Sequence, residues 1–310
     1  MQEPILRIHH LGITFSQYTK GLRRTPLNVI NQLDIELVEG EILAVVGSSG
    51  SGKSLLASAI LGILPGNAKL TGDMYYRGQR LNQKEKERIR GREIVLIPQS
   101  VNYLDPLQKV GKQIAISIKN KNGRHETIKE LVQRYGLQED VVNYYPFQLS
   151  GGMARKVLLA TALVSDSKVL IADEPTPGLD EASLKEVLKD FRGLADEGRA
   201  VLMITHDMEA ALKIADKIAV FYAGTTLEVA NTEDFNDSGD LLRHPYTRAL
   251  NRARPTVRFA PIEGSQPYPN QLPEGCPFSD RCEIKTGECR KQMPELREVR
   301  GGKVRCIHAT

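Results

Sequence analysis

The segment Gly47-Ser48-Ser49-Gly50-Ser51-Gly52-Lys53-Ser54 fits the pattern G-x-x-x-x-G-K-[ST], which is typical of loops that wrap the phosphates of a nucleotide. Glycines let the backbone approach the phosphates closely, so that N–H groups and the positive end of the following helix dipole face the negative charge. Lys53 is predicted to reach the β and γ phosphates, and Ser54 to place its hydroxyl on Mg²⁺. The alternative is a Gly/Ser turn, but an apolar strand before the segment and a helix after it favour the phosphate loop.

A second apolar run ends in two carboxylates. Val169-Leu170-Ile171-Ala172 is predicted to be a buried strand, and Asp173 and Glu174 follow it directly. Ligands collect at the carboxyl ends of strands in parallel sheets, so Asp173 is predicted to hold Mg²⁺ beside Ser54. Glu174 would then accept a proton from the attacking water. Alone, such an acidic pair is more typical of a helix cap or a surface turn, but beside a phosphate loop it indicates nucleotide hydrolysis.

The elements that must position these segments alternate in type. Apolar runs predict buried strands at residues 42–46, 94–97, 169–172 and 200–204. Helical spacing occurs at residues 55–64, 114–137, 150–164, 182–194 and 208–216. This alternation implies right-handed βαβ crossovers and a parallel central sheet. Within residues 5–46, short runs of alternating apolar and polar residues predict antiparallel strands ahead of the phosphate loop.

Length and composition exclude several classes of protein. A chain of 310 residues is long enough for one large domain and a smaller appendage. Hydrophobic residues make up 41%, and no apolar run reaches the roughly 18 residues of a membrane span. The first residues lack the features of a secretory signal, so we expect a cytoplasmic protein. The net charge of +4 comes from interspersed charges, and Trp is absent, so nucleic acid is not expected as a partner.

A third motif, Leu149-Ser150-Gly151-Gly152-Met153, opens a predicted helix, and a glycine-rich helix N-terminus is an anion site. The motif resembles the signature of ABC transporter ATP-binding subunits, and the order of motifs matches that family over nearly all of residues 1–250. In the family the signature binds the γ-phosphate held by the opposite subunit. The resemblance therefore implies a head-to-tail dimer in which Ser150, Gly151 and Gly152 complete the partner's ATP site. Taken alone, Ser-Gly-Gly before a helix is an ordinary N-cap.

Further positions resemble functional residues of the same family. Gln99 is similar to the glutamine that contacts Mg²⁺ and water and reports to the membrane subunits, and Asp180 is similar to the D-loop aspartate. His206 is similar to the switch histidine that contacts the γ-phosphate and orients the catalytic glutamate and water. Phe15 or Tyr18 is the candidate for stacking on adenine, with Phe15 preferred. A lone histidine after a strand is otherwise a capping or surface residue.

The cysteines form a separate group near the end of the chain. Residues 255–273 contain five prolines and are predicted to be a linker or a wrapped loop. The four cysteines follow, at Cys276, Cys282, Cys289 and Cys306, and none occurs earlier. Clustered thiols in a cytoplasmic protein favour a metal centre over structural disulfides. Four thiolates suit zinc or an iron–sulfur cluster, and the spacing does not decide between these and unligated thiols. His308 is expected to be a solvated residue.

Residues 243–250 resemble the His-Pro-Tyr-Thr extension of the oligopeptide, dipeptide and nickel importer subfamily, whose tail also has these cysteines. A 4Fe–4S cluster occurs in the dipeptide-importer branch. The resemblance therefore implies an iron–sulfur cluster on the four cysteines, with zinc as the alternative.

The resulting prediction is an α/β protein: an ABC-type P-loop ATPase with a parallel central sheet, an antiparallel β subdomain, a helical signature subdomain and a small C-terminal Cys-rich extension. We expect the nucleotide-binding domain in residues 1–250 and the extension in residues 251–310. The resemblance implies an ATPase that uses ATP and Mg²⁺ to power peptide import, with a nickel or metal-chelate importer as the alternative. It implies as partners a second, homologous ATPase subunit, distinct from this one, two transmembrane permease subunits and, indirectly, an extracytoplasmic substrate-binding protein. The subunit would lie at the cytoplasmic face of the membrane.

A soluble ABC ATPase without a transporter is the more distant alternative. Such proteins usually carry a long coiled-coil insertion or a second ATPase cassette, and this sequence shows neither. A regulatory protein with a vestigial site would lack Lys53, Glu174 or His206, and all three are present.

Overall fold

The computed structural model describes residues 2–18, 23–48, 50–118 and 122–310. Its strands, in chain order, are β1 (Leu6–Tyr18), β2 (Arg24–Leu37), β3 (Ile42–Val46), β4 (Ala68–Tyr76), β5 (Gln79–Arg80), β6 (Ile94–Ile97), β7 (Val169–Asp173), β8 (Ala200–Thr205), β9 (Lys217–Tyr222), β10 (Thr225–Asn231), β11 (Arg297–Val299) and β12 (Gly302–Val304). Its α-helices are α1 (Lys53–Leu61), α2 (Gln83–Ile89), α3 (Val110–Ser117), α4 (Arg124–Arg134), α5 (Gly151–Leu163), α6 (Glu181–Asp196), α7 (Met208–Ile214) and α8 (Pro245–Arg252).

The strands form one mixed sheet in the order β5-β4-β1-β2-β10-β9-β3-β8-β7-β6, with β12 beside β10 and β11 beside β12. The five strands from β9 to β6 run parallel, which confirms the parallel central sheet predicted from the βαβ alternation. Val46 pairs with Thr205, and Asp173 with Ile204. The carboxyl ends of β3, β8 and β7 therefore meet at one edge of the sheet.

The parallel strands are covered on both faces. Successive residues of β3 enter different clusters of buried side chains, with Ala44 in one and Val45 in the other. Leu159 of α5 and Phe191 of α6 belong to the first cluster, and Leu56 of α1 belongs to the second. Burial on both faces explains why these strands are continuous apolar runs in the sequence.

The antiparallel part of the sheet precedes and flanks the phosphate loop. β1 pairs antiparallel with both β2 and β4, as predicted, although β1 and β2 are long strands of 13 and 14 residues rather than short runs. β3, which was included in the antiparallel prediction for residues 5–46, instead pairs parallel with β8 and β9. A bulge interrupts β1 between Ile8 and Leu11.

The single helix predicted over residues 114–137 is two helices, α3 and α4, and the break includes residues 119–121, which lie outside the described part of the chain. α4 begins after Gly123, whose φ of 76° favours glycine. Ile114 of α3 and Val132 of α4 are both fully buried in one cluster, so both helices present apolar residues to the same core. Helical spacing alone did not reveal the break, because the apolar residues of α4 face the same core as those of α3.

The C-terminal segment is attached to the core sheet. β12 pairs antiparallel with β10, and β11 pairs with β12. Arg243 is buried and donates to Glu228 and Asp234 at 3.2 and 2.8 Å, and to the carbonyl of Val299 at 2.6 Å. These bonds join α8, β10 and the end of β11. The division of the chain at residue 250 stays a prediction.

Candidate nucleotide site and cysteine cluster

The phosphate-loop segment connects the end of β3 to α1. A Cβ on Gly47 would lie 2.1 Å from the carbonyl oxygen of Phe221, so only glycine fits where the loop passes β9. Gly52, just before α1, has a φ of 91°. The Nζ of Lys53 donates to the carbonyls of Gly47 and Ser48, both at 2.8 Å. Of the predicted loop residues, Gly50 and Ser51 also lie in the described part of the chain and Ser49 does not.

Lys53 and Ser54 lie beside the predicted carboxylates. The hydroxyl of Ser54 donates to Oδ1 of Asp173 at 3.0 Å. Burial lowers the pKa of Lys53, although the charges of Glu174 and Asp173 oppose this shift. Burial raises the pKa of Asp173, and the neighbouring Glu174 adds to the effect. The two acidic residues are therefore near enough to Lys53 to form one electrostatic group with it.

Glu174 is held by both its side chain and its backbone. Its carboxylate oxygens each lie 2.9 Å from Nδ1 of His206, and the hydroxyl of Thr205 donates to Oε2 at 3.3 Å. The backbone N–H of Glu174 donates to the carbonyl of Ile204. Its φ of 47° is uncommon for a residue with a side chain, and such strained positions cluster at functional sites. The structure thus brings together Glu174 and His206, which lie 32 residues apart in the chain.

Arg155 is a site residue that the sequence analysis did not reveal, because none of the motifs includes it. It is 4% exposed. Its guanidinium donates to the carbonyls of Pro98 and Gln99 at 2.6 and 2.9 Å, to that of Pro175 at 3.4 Å, and to that of Glu174. Arg155 therefore joins the segment after β6 to the segment after β7.

The signature segment forms the N-terminus of α5. Ser150 is the N-cap, and its Oγ accepts from the N–H of Met153 at 3.3 Å. Gly151 is exposed and Gly152 is half-buried, so the backbone at this helix end is accessible. Asp180 lies at the start of α6, where it accepts from Ser183 and pairs with Lys156 at 3.1 Å. Those hydrogen bonds and the Lys156 ammonium hold the pKa of Asp180 well below its ordinary value.

The remaining predicted residues lie at the margins of the site. The side chain of Gln99 is exposed just beyond β6. Phe15 is half-buried against the core of the β subdomain, while Tyr18 is 62% exposed and bonds to Arg24. The contacts of Phe15 and of Tyr18 do not test which of the two rings would stack on adenine.

The proline-rich segment, predicted to be a linker or a wrapped loop, reaches the phosphate loop. Ser48 donates to Oε1 of Gln266 at 2.5 Å. Arg281, one residue before Cys282, donates to the carbonyls of Ile262 and Glu263 at 2.9 and 2.7 Å. The segment thus lies between the phosphate loop and the cysteine region, and no sequence motif pointed to Gln266.

The four cysteines line one small cavity of about 20 Å³. None of them forms a disulfide. Three are buried and Cys282 is half-buried. Burial raises the pKa of Cys276 to about 12, and it also raises the pKa values of Cys282 and Cys306. Among the described residues, no three of these sulfurs lie within 4.8 Å of one another.

Two histidines border the same cavity. His244 is buried, its Nε2 lies 3.8 Å from Sγ of Cys276, and burial lowers its pKa to about 3. His308 was expected to be solvated, which is wrong, because it is half-buried with Nε2 3.3 Å from Sγ of Cys289. Pro245, a residue type favoured at the first position of a helix, could have indicated that His244 caps α8, and Nδ1 of His244 accepts from the N–H of Tyr246.

The chain matches two protein-family profiles and several known proteins. The family profile for the ABC transporter matches residues 30–177, and the profile for the oligopeptide/dipeptide transporter C-terminal region matches residues 227–289. The dipeptide transport ATP-binding protein DppD of Escherichia coli (strain K12) is 33% identical over 325 residues, with 98% of this chain and 96% of that protein covered. The oligopeptide transport ATP-binding protein AppD of Bacillus subtilis (strain 168) is 33% identical, with 92% of each chain covered.

A solved structure shares the fold. The ATP-binding cassette MJ0796, in a dimeric post-hydrolysis state bound to ADP and Pi, has a TM-score of 0.64 and 24% identity to this chain. The match covers 73% of this chain and 98% of that one. Within the described ranges, every helix is too short or too polar to cross a membrane.

Proposed function

Because the chain belongs to the ABC transporter family of ATP-binding proteins, in the group with the oligopeptide/dipeptide C-terminal region, we propose that it is the ATP-hydrolysing subunit that powers import of peptides. One observation carries the proposal: Ser54–Asp173 and Glu174–His206 are hydrogen-bonded pairs beside Lys53 at one edge of a parallel sheet. The relatives are named for dipeptide and oligopeptide transport, which favours peptides over nickel as the cargo.

The phosphate loop is suited to hold the substrate ATP. No described side chain caps the N-terminus of α1, so its first N–H groups are available to an anion. Lys53 now donates to two loop carbonyls, and these bonds can be exchanged for bonds to phosphate oxygens without moving the ammonium far. The loop from Gly47 to Ser54 would thus bind the phosphates through backbone N–H groups and one buried cation.

The oxygens of Ser54 and Asp173 suit Mg²⁺, which prefers hard oxygen ligands, and Gln99 offers a further oxygen from the next strand end. When bound, the ion neutralises charge on the β and γ phosphates. Protonation of Asp173 would remove a ligand, and the raised pKa of this residue means that binding of Mg²⁺ weakens at higher pH than for an exposed aspartate.

Glu174 is placed to act as the general base. The attacking water would give its proton to the carboxylate as its oxygen bonds to the γ-phosphorus, and ADP would leave. His206 keeps the carboxylate oriented through the contacts of 2.9 Å to Nδ1, which leaves Nε2 as the ring atom that would contact the γ-phosphate. The Glu174→Gln variant keeps the shape of the side chain but cannot accept the proton.

The test is steady-state ATP hydrolysis by the assembled transporter. We expect Glu174→Gln to lower turnover about 10²- to 10⁴-fold while ATP binding is retained. Glu181→Gln is the matched control, because Glu181 is 83% exposed in the first turn of α6 and, in the described part of the chain, forms an ion pair with Lys185 alone. Hydrolysis by Glu174→Gln at the wild-type rate would remove Glu174 from the mechanism.

We propose that the site is completed by a second ATPase subunit, homologous to this one but distinct from it. The accessible N-terminus of α5, with Ser150, Gly151 and Gly152, would bind the γ-phosphate of the partner's ATP, and Asp180 would lie near the same interface. Among the described residues, no hydrogen bond joins Ser150 to Lys53 or Glu174. The signature would therefore act in trans.

A groove beside Gln99 fits the contact with the two membrane permease subunits. Val101, Leu104, Pro146, Phe147 and Leu149 line it. Phe147 is 75% exposed beside the other apolar residues of this groove, and an exposed apolar patch of this kind is typical of a site where a partner binds. A movement of Gln99 on nucleotide binding would then be transmitted to the residues that line this groove. Docking there would hold the subunit at the cytoplasmic face of the membrane, with the extracytoplasmic binding protein acting indirectly.

We further propose that Cys276, Cys282, Cys289 and Cys306 bind a 4Fe–4S cluster. A single zinc ion with sulfur at about 2.3 Å would need the four sulfurs about 3.8 Å apart, and here no three lie within 4.8 Å. A four-iron cluster is larger and separates its thiolates further. Burial disfavours the thiolate form of these cysteines. Bonds to the metal would therefore supply the stabilisation of the thiolates that their apolar surroundings do not.

Anaerobic purification tests the cluster. We expect iron and sulfide at about four per chain, and loss of both in Cys289→Ser. Ser279→Ala is the control, because Ser279 lines the same cavity but offers no sulfur. One zinc per chain in place of iron would replace the cluster with a zinc site, and no metal at all would end the metal hypothesis.

A further inference from the structure

A bulge in β1 places two adjacent histidines on the same carboxylate. On a regular strand, neighbouring side chains point to opposite faces. Here the register shifts between Ile8 and Leu11, and His10 has a φ of 49°. His9 and His10 therefore lie side by side, with ring centroids 3.9 Å apart, and both face Asp34 of β2.

The distances between these groups suit a bound metal ion. Nδ1 of His9 lies 2.8 Å from Oδ1 of Asp34, and Nδ1 of His10 lies 3.5 Å from the same oxygen. All three donor atoms lie within 4.8 Å of one another. Two ligands bound at about 2.0–2.1 Å in tetrahedral geometry are about 3.3 Å apart, which falls between the two observed distances. Small rotations of the rings would admit an ion.

The surroundings fix the carboxylate in the way that outer contacts orient metal ligands. Asp34 is buried, and its Oδ2 accepts from the fully buried guanidinium of Arg305 at 2.5 Å. Its Oδ1 also accepts from the backbone N–H of His10 at 2.9 Å. Oδ1 is thus held in place as a pre-oriented ligand atom.

The ligand set selects the type of ion. Arg305 already neutralises Asp34, so little net negative charge remains to attract Ca²⁺ or Mg²⁺, which favour sets of several oxygens. Imidazole suits Zn²⁺, Ni²⁺, Cu²⁺ and Fe²⁺, and the set of two imidazoles and one carboxylate is typical of zinc and non-haem iron sites. The side chains of His9 and His10 are 61% and 42% exposed, so water can fill the remaining coordination position.

We propose that His9, His10 and Asp34 form a binding site for a divalent transition-metal ion, separate from the cysteine cluster. The ion would join the bulge of β1 to β2. Because Asp34 also bonds to Arg305, which directly precedes Cys306, the ion would stabilise the attachment of the C-terminal segment to the β subdomain. The site does not depend on the proposed transport function.

The experiment uses the full chain with its cysteine centre loaded and measures Zn²⁺ binding by equilibrium dialysis. We expect one Zn²⁺ per chain beyond the cysteine centre, and at least a tenfold loss of its affinity in His9→Gln and in His10→Asn. Asparagine is chosen at position 10 because it tolerates a positive φ. His125→Gln, at an exposed histidine of α4, is the matched control and should bind as the wild type does.

Co²⁺ supplies a second measurement that identifies the ligands. Binding at His9, His10 and Asp34 gives weak visible bands without the strong thiolate-to-cobalt absorption of a cysteine site. The wild type should also gain thermal stability on addition of Zn²⁺, and the two histidine variants should not. Equal affinity in all variants, or thiolate absorption from the added ion, would overturn the proposal.

Discussion

Replacement of Arg155 by methionine should uncouple ATP binding from turnover. The guanidinium is 4% exposed and holds the carbonyls of Pro98, Gln99 and Pro175 together with that of Glu174. Glu174 has a φ of 47°, a strained conformation that persists only while its surroundings hold it. Without Arg155 its backbone would relax, and the carboxylate would move away from the position in which it accepts the proton.

The expected loss of stability and of kcat follows from these contacts. A hydrogen bond to a charged group contributes about 1.5–3 kcal/mol, but burial of the guanidinium opposes part of that gain, as the lowered pKa of Arg155 shows. Removal of the guanidinium leaves the carbonyls that it bonds without this donor, and each unsatisfied buried polar group costs about 1–3 kcal/mol, so we expect a loss of about 3–5 kcal/mol of stability. Displacement of the general base should lower kcat at least about 10²-fold, whereas the KM for ATP should change little because Lys53 and Ser54 do not contact Arg155.

Two variants separate this role from simple destabilisation. Arg155→Lys keeps the charge and some of the donors, so it should recover part of kcat. Arg199→Met removes an arginine that bonds the carbonyl of Ser165 at the opposite end of β8, and should lower stability without a selective effect on kcat. The measurements are ATPase kinetics of the assembled complex and thermal unfolding of the chain. A kcat for Arg155→Met within about twofold of wild type, with unchanged unfolding, would refute the reasoning.

Two further predictions concern other contacts. Ser150→Arg should impair hydrolysis at the partner's site while ATP still binds at this chain's Lys53, which nucleotide crosslinking to each subunit would show; loss of binding at Lys53 would contradict the action in trans. The hydrogen bond from Arg254, aided by Thr256, lowers the pKa of Glu209 below its ordinary value. The pair therefore contributes stability that is fully present at neutral pH and is lost as the pH falls through the lowered pKa of Glu209. Because it is partly exposed, the contribution should be below about 1 kcal/mol, and the pH dependence of unfolding should flatten slightly in Glu209→Gln but not in Glu197→Gln.

Local sequence determined most of the parallel core. Residues 94–97 were predicted as a strand and form β6, and the run from Val169 forms β7, because strands buried on both faces are continuous apolar runs. The phosphate loop was equally visible, since Gly47 has no room for a side chain and Gly52 needs a positive φ. These features depend on a few neighbouring residues, so they can be found without knowledge of the rest of the fold.

Tertiary structure decided what depends on residues far apart in the chain. The contact of Glu174 with His206 follows from the pairing of β7 with β8, and Arg155 reaches two strand ends at once from α5. The proximity of His9, His10 and Asp34 requires a bulge that no composition rule indicates. It also requires Arg305, which lies 271 residues after Asp34 in the chain and donates to it in the folded protein. A sequence motif records short-range geometry, whereas these contacts arise only when separate elements pack, so only the folded chain could show them.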